Sequence, residues 1–332
     1  MARLVLGVAT SHSPVLTLDS SDWLHRADAD YANPALTLAD GRTMTYAELV
    51  AERGELHEDQ TTPEVFEQIA IRCQASLDRI AGDIAAARPD VVVIVGDDQD
   101  ELYTAGNTPA IALFWGDEVV THPWEGDAPQ WVKTMAKGYG MDEIHRFPGH
   151  RAFAADLVRG LVAGGVDLAI CNEVPDPQVA GFGHAFGFPV ERLFRGRSIP
   201  IVPIMLNTYF PPNVISPSRC IDIGIALRQA IEASPLDLRV VVLASGGLSH
   251  FVVEEELDRR VIDNLGADGT EALRELNRDG LIEGTSEILN WVLTAGAVSH
   301  LPVRWTAYEP LRRTPAGTGI GLGFAVWGET TS

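Results

Sequence analysis

Apolar residues fall in short continuous runs separated by longer segments with a helical period. The runs at 4–9, 91–95, 168–171, 199–206 and 240–244 are rich in β-branched residues, and each ends at a small or polar residue. Continuous apolar runs of four to eight residues are the pattern of strands buried on both faces. Between them, Pro63–Ala87 repeats apolar residues at Phe66, Ile69, Leu77, Ile80 and Ile84 behind a Thr62-Pro63-Glu64 start, which predicts a long helix. Residues 152–163 and 220–233 predict two more. Strands alternating with helices predict an α/β fold, a single domain over residues 1–332 with a mostly parallel central sheet flanked by helices.

Residues 18–58 break the alternation. Asp40-Gly41 is a hairpin signal between 35–38 and 43–46, and 46–52 looks helical. Two readings stand for this excursion: a cover over the mouth of a site, or a surface insertion without a role.

Composition narrows the partners. The 332 residues are 46% hydrophobic and 21% charged, which is ordinary globular usage and excludes a disordered chain. Lys+Arg of 25 against Asp+Glu of 46 gives a net charge of −21, which disfavours nucleic acid and anionic membrane surfaces as partners. The three cysteines, Cys73, Cys171 and Cys220, form no C-x-x-C pair, so neither a disulfide framework nor a thiolate zinc site is expected. The N-terminal apolar run is too short for a secretory leader, and no run reaches the roughly 18 residues of a membrane span. A cytoplasmic protein is expected.

In parallel α/β sheets ligands sit beyond the carboxyl ends of the strands. Those ends carry Thr10-Ser11-His12, Gly96-Asp97-Asp98-Gln99, Asn172-Glu173, Asn207-Thr208-Tyr209 and Ser245-Gly246-Gly247-Leu248-Ser249-His250. His12 follows a strand directly, and Pro14 stops that strand from continuing. His57 sits in the acidic run 55–59, either a solvated turn or a metal ligand delivered by a loop. Glu254, Glu255 and Glu256 open a helix, where carboxylates are ordinary dipole partners, although one of them could turn inward. Two histidines and a carboxylate match the facial triad of non-haem Fe(II) oxygenases, and zinc accepts the same ligands.

Ser11-His12-Ser13-Pro14, Gly246-Gly247-Leu248-Ser249-His250, Gly284-Thr-Ser-Glu-Ile-Leu-Asn-Trp291 and Arg313-Thr-Pro-Ala-Gly-Thr-Gly-Ile-Gly321 occur in that order. With them the chain resembles the class III extradiol ring-cleavage dioxygenases, in particular the catalytic subunits of protocatechuate 4,5-dioxygenase and gallate dioxygenase. The resemblance implies Fe(II) held by His12, His57 and Glu255, with Glu254 and Glu256 as alternatives to the last. It implies His184, in Gly181-Phe182-Gly183-His184, as the acid/base that takes a hydroxyl proton and later returns it, and His122 as a second active-site histidine. The substrate would be an aromatic vicinal diol, opened with O2 to a muconate-type semialdehyde or its equivalent. Thr285 and Ser286 are candidates to bind that substrate, while Gly284–Glu287 also has the spacing of a helix capping box. One departure stands out: members acting on protocatechuate commonly carry Asn-Asp-His where this chain has Asp97-Asp98-Gln99, which puts the substrate pocket in question. A homodimer is usual for the family, and a separate small subunit is possible. A zinc-dependent hydrolase on the same His/His/Glu ligands is the alternative, and a binding protein that has lost a ligand is a second one.

Overall fold

The computed structural model describes residues 1–124 and 126–329. Strand β1 (Arg3–Thr10) is followed by the excursion, made of α1 (Leu24–Ala32), the short strands β2 (Leu36–Thr37) and β3 (Thr43–Met44), and α2 (Tyr46–Arg53). The long α3 (Pro63–Ala87) leads into β4 (Val91–Asp97), β5 (Ile111–Phe114), β6 (Glu118–Val120), α4 (Gln130–Gly138), β7 (Arg146–Pro148), α5 (Arg151–Ala163) and β8 (Ala169–Cys171). Then come α6 (His184–Leu193), β9 (Ile201–Leu206), α7 (Pro217–Ala233), β10 (Arg239–Ser245), β11 (His250–Val252), α8 (Glu255–Ile262) and α9 (Thr270–Arg274). Helix α10 (Ile288–Val298) and the hairpin β12 (Val303–Arg312) and β13 (Thr318–Trp327) complete the described chain.

Nine strands form one mixed sheet in the order β11-β13-β1-β10-β4-β9-β5-β8, with β12 paired to β13. At its centre β1, β10, β4 and β9 run parallel, while β13 lies antiparallel to β1 and β5 antiparallel to β9. Alternate residues of β4 serve opposite layers. Val91, Val93 and Val95 pack with α5, α7 and α10, whereas Val92 and Ile94 pack with α3 and α6. Burial on both faces is the reason these strands are apolar throughout.

Local chemistry sets the helix ends. The Thr62 hydroxyl accepts from the Val65 N–H at the start of α3, Pro63 occupies the first turn, and Arg88 ends the helix in the left-handed region at φ 45°. Helix α10 is buried along its whole length and crosses α7 so closely that a Cβ at Gly224 would lie 2.1 Å from the Leu293 carbonyl oxygen.

Strands β5, β11, β12 and β13 are additions to the sheet expected from the apolar runs. Glycines 319, 321 and 323 interrupt the β13 pattern, and glycine weakens a strand signal. At Gly321 a Cβ would meet the buried Asp258 carboxylate at 2.0 Å, so the packing forbids a side chain there.

The excursion is packed onto the body. Gly41 turns the β2–β3 hairpin at φ 84°, and Thr45 and Glu48 form a reciprocal capping box on α2. Leu36, Leu38 and Leu49 share a small core with Val252 and Ala316. Asp30 of α1 accepts two hydrogen bonds from Arg313, at 2.8 and 3.0 Å. Among the described residues no helix is long and apolar enough to cross a membrane.

Candidate metal centre and ring pocket

The carboxyl ends of β1, β4, β9 and β10 converge, as the topology of the parallel centre requires. The first residues of α6 and the Glu283–Glu287 turn before α10 close the space, leaving a cavity of about 650 Å³ lined by His12, His122, His184, His250 and Glu287 among others. That volume lies in the range of small-molecule pockets.

His12 is buried, and its Nδ1 lies 2.9 Å from the Ser245 hydroxyl. Its Nε2 is 3.0 Å from Glu287 Oε2, yet it has no partner in hydrogen-bond geometry. Two ligand atoms on adjacent positions of one cation, each about 2.0–2.2 Å from it, stand roughly 3 Å apart. Asp97 supplies a third atom, and His12, Asp97 and Glu287 bring their ligand atoms within 4.8 Å of one another. A divalent cation fits this group. One imidazole and two carboxylates make an oxygen-rich donor set, unlike the two-histidine triad expected from the sequence.

Glu287 is held from several sides. Its Oε1 accepts from the Tyr209 hydroxyl at 3.0 Å and from Gln99 Nε2 at 3.2 Å, and Oε2 accepts from the Gly247 N–H. Burial opposes its charge, but His12, His250 and the Gly247 N–H outweigh it and hold the carboxyl well below the usual range. Its place at the N-cap of α10 adds the helix dipole in the same direction. Asp97 goes the other way: burial and the facing Glu287 push it up. Its oxygens accept from Asn290 at 3.0 Å and Gln99 at 2.9 Å.

The sequence departure at 97–99 therefore falls inside the centre. Gln99 spends its two amide hydrogens on Asp97 and Glu287, so its 3.4 Å approach to His184 Nε2 leaves that nitrogen open to the cavity.

His184 opens α6, and Glu101 Oε1 stands 2.6 Å from its Nδ1, each side chain only 14% exposed. Burial and a helix N-terminus both disfavour an imidazolium. Glu101 overrides them and raises His184 to about 9, while His184 in turn lowers Glu101 against its burial. The His184 ring meets that of His12 edge-on, with centroids 4.6 Å apart.

The sequence candidates divide. His12, His122 and His184 face one cavity, and the His122 Nδ1–H donates to the Pro177 carbonyl at 2.9 Å, which leaves Nε2 as an acceptor. His57 and Glu255 are not brought to them. His57 lines a separate cavity with Arg53 and Gly317, and its N–H donates to the Pro315 carbonyl. Glu255 is exposed in the first turn of α8 and paired with Arg312, while Glu254 pairs with Arg53 at 2.9 Å. Glu256 is exposed in the same turn. Thr285 and Ser286 are buried and bonded to backbone, Thr285 with His250 and Ser286 with the Glu283 carbonyl. The capping box at Gly284–Glu287 is not formed, because Glu287 reaches across to His12 instead.

Glu287, Asp97, Gln99, Glu101, Tyr209 and His250 are the residues that reading the sequence did not assign to the site. The strand-end rule did mark Asp97, Gln99, Tyr209 and His250 as places to look. His250 donates from Nδ1 to the Leu248 carbonyl, and Phe251 beside it holds φ 58°, a strained conformation at the cavity wall.

Residues 54–317 match the family of the catalytic LigB subunit of aromatic ring-opening dioxygenase. The chain belongs to this family. It is 31% identical over 165 residues to a gallate dioxygenase of Pseudomonas putida, which covers 46% of each chain. It is 34% identical over 99 residues to a 2,3-dihydroxyphenylpropionate/2,3-dihydroxicinnamic acid 1,2-dioxygenase of Mycobacterium ulcerans, covering 29% of this chain and 28% of that one. The alignments thus span less than half the length of these curated relatives.

Proposed function

We propose that this protein is an Fe(II)-dependent extradiol dioxygenase that opens the ring of an aromatic vicinal diol with O2. The observation that carries this reading is the His12–Glu287 pair set beside the His184–Glu101 pair in the wall of one cavity, in a chain of a ring-opening family. His12, Glu287 and Asp97 would hold the metal. When bound, it supplies a Lewis acid for the diol oxygens and redox chemistry toward dioxygen.

The chain's own groups do the rest. Tyr209 and the Gly247 N–H fix the Glu287 carboxylate, and Ser245 fixes the His12 ring. The Tyr139 hydroxyl donates to the His12 carbonyl at 2.7 Å, which anchors the loop after β1. His184, kept protonated by Glu101, is placed to donate from Nε2 to an oxygen of the substrate or product. His122 and His250, the latter lowered by burial and with Nδ1 given to the Leu248 carbonyl, line the cavity and add acceptors there.

The test is dioxygen uptake by protein loaded anaerobically with Fe(II), against catechols, gallates and hydroxypyridines, with ultraviolet-visible spectra. Uptake with a new absorbance beyond that of the substrate is expected. No uptake on any ring, with iron bound, would overturn the reading. A zinc-loaded arm is expected to consume no dioxygen.

The proton on His184 gives a pH prediction. The ion pair with Glu101 is complete below the ordinary histidine value of 6.5 and is lost as pH rises through about 9. Glu101→Gln removes the charge that raises His184, leaving burial to push it down. The alkaline limb of kcat/KM is expected to move from about 9 toward 6.5 or below, read from the pH profile and from the His184 ring resonances. An unmoved limb would mean that another group donates the proton.

A further inference from the structure

Two residues beside the cavity hold left-handed backbone although neither is glycine, and the excursion touches both. Phe251 lines the cavity at φ 58° and packs on the small core that Leu36, Leu38 and Leu49 of the excursion help to build. Glu283, at φ 47°, opens the turn that Glu287 closes, and its carboxylate accepts from the buried Thr37 hydroxyl at 2.7 Å. Residues with a side chain are disfavoured in this region, and they stay there only where their surroundings hold them.

The excursion meets this segment backbone to backbone. A Cβ at Gly280 would lie 1.8 Å from the Ala39 carbonyl oxygen, and one at Gly41 would lie 2.6 Å from the Asp279 carbonyl oxygen. Only glycine allows so close an approach. Glu254 fastens the hairpin further, accepting from Arg53 at 2.9 Å and from the Ala39 N–H at 3.4 Å. Within the turn the Ser286 hydroxyl donates to the Glu283 carbonyl, and a Cβ at Gly284 would stand 2.5 Å from the His250 ring. A shift at Glu283 is therefore passed along a short, tightly packed turn to Glu287.

We infer that Thr37 and Glu283 are positioning residues for the metal centre: their bond holds the turn in the strained form that brings Glu287 to His12. This rests on the reading of Glu287 as a metal ligand. It gives the excursion a role distinct from both a cover over the site and an insertion without a role. Without the bond Glu283 is released from the left-handed region, the turn relaxes, and part of a cation's binding free energy goes into restoring the geometry. Thr37 is uncharged, so replacing it alters the turn and leaves the charge around the cavity as it was. Valine keeps its β-branched shape in β2.

The test is anaerobic calorimetry of Fe(II) binding to the metal-free protein, with no ring present, beside the melting temperature of that protein. Thr37→Val is expected to weaken Fe(II) binding by about tenfold, the lower edge of what outer partners of metal ligands contribute. Thr37→Ser keeps the hydroxyl and is expected to bind Fe(II) as the wild type does. Arg42→Ala, which removes the excursion's exposed pairs with Asp40 and Glu52, is expected to leave Fe(II) binding unchanged. A lower melting temperature for Thr37→Val with Fe(II) binding intact is what a purely structural bond gives, and it overturns the inference. An equal loss in Thr37→Ser or Arg42→Ala overturns it too, because the effect would not follow the hydroxyl. Glu287→Gln separates this failure from that of the metal reading. If it binds Fe(II) like the wild type, the metal reading falls and the inference with it. If it loses Fe(II) while Thr37→Val does not, only the inference falls.

Discussion

Glu287→Gln is expected to abolish dioxygen uptake and to lower metal affinity by more than about 100-fold, because it removes a charged ligand, and even outer partners of metal ligands cost 10–100-fold. The amide keeps the size of the side chain and can still accept from the Gly247 N–H, so the local backbone has no reason to move. Stability is expected to fall, because the folded surroundings favour the Glu287 charge, and the relief of the repulsion that pushes Asp97 up offsets only part of that loss. The decisive comparison is with His57→Ala and Glu255→Gln, which target the ligands that the family resemblance implies. Both side chains stand away from the His12 cavity, so both variants are expected to keep their metal. Metal content after dialysis, read beside oxygen uptake, checks all three. Metal lost from His57→Ala or Glu255→Gln but retained by Glu287→Gln would reverse the assignment.

The parts of this protein that were legible in its sequence are those set by local pattern. Val91–Asp97 and Arg239–Ser245 are buried on both faces, and a continuous apolar run announces that. The same rule drew attention to Asp97, Gln99 and Tyr209, because strand ends in such sheets face ligands. What escaped depends on contacts distant in sequence. Glu287 follows a glycine by the spacing of a capping box, and only the fold shows it 3.0 Å from His12 instead. His57 lies in an acidic run with the look of a ligand loop, but the chain docks it on the turn between β12 and β13 through the Pro315 carbonyl. Glu255 and Glu256 both sit in the first turn of α8, where carboxylates complement the helix dipole.

His184→Ala is expected to leave the metal bound while turnover falls about 10²- to 10⁴-fold, the usual worth of a positioned general acid/base. The imidazole stands edge-on to His12 and is tied through Nδ1 to Glu101, so it is placed to serve the substrate's oxygens and not to ligate. The single variant carries a complication of its own making. Removing His184 strands Glu101, whose ionised form is maintained by that partner, and breaking a buried pair on one side costs about 3–5 kcal/mol. Protonation of Glu101 offsets part of this, so His184→Ala is expected to gain stability as the pH is lowered toward the carboxyl's new, higher value. The double variant His184→Ala/Glu101→Gln removes both charges and separates the two effects. It is expected to recover the melting temperature and keep the activity loss. If the double variant recovers activity along with stability, the loss in the single variant came from the stranded carboxylate and His184 does not move the proton. Loss of metal in either variant would make His184 a ligand.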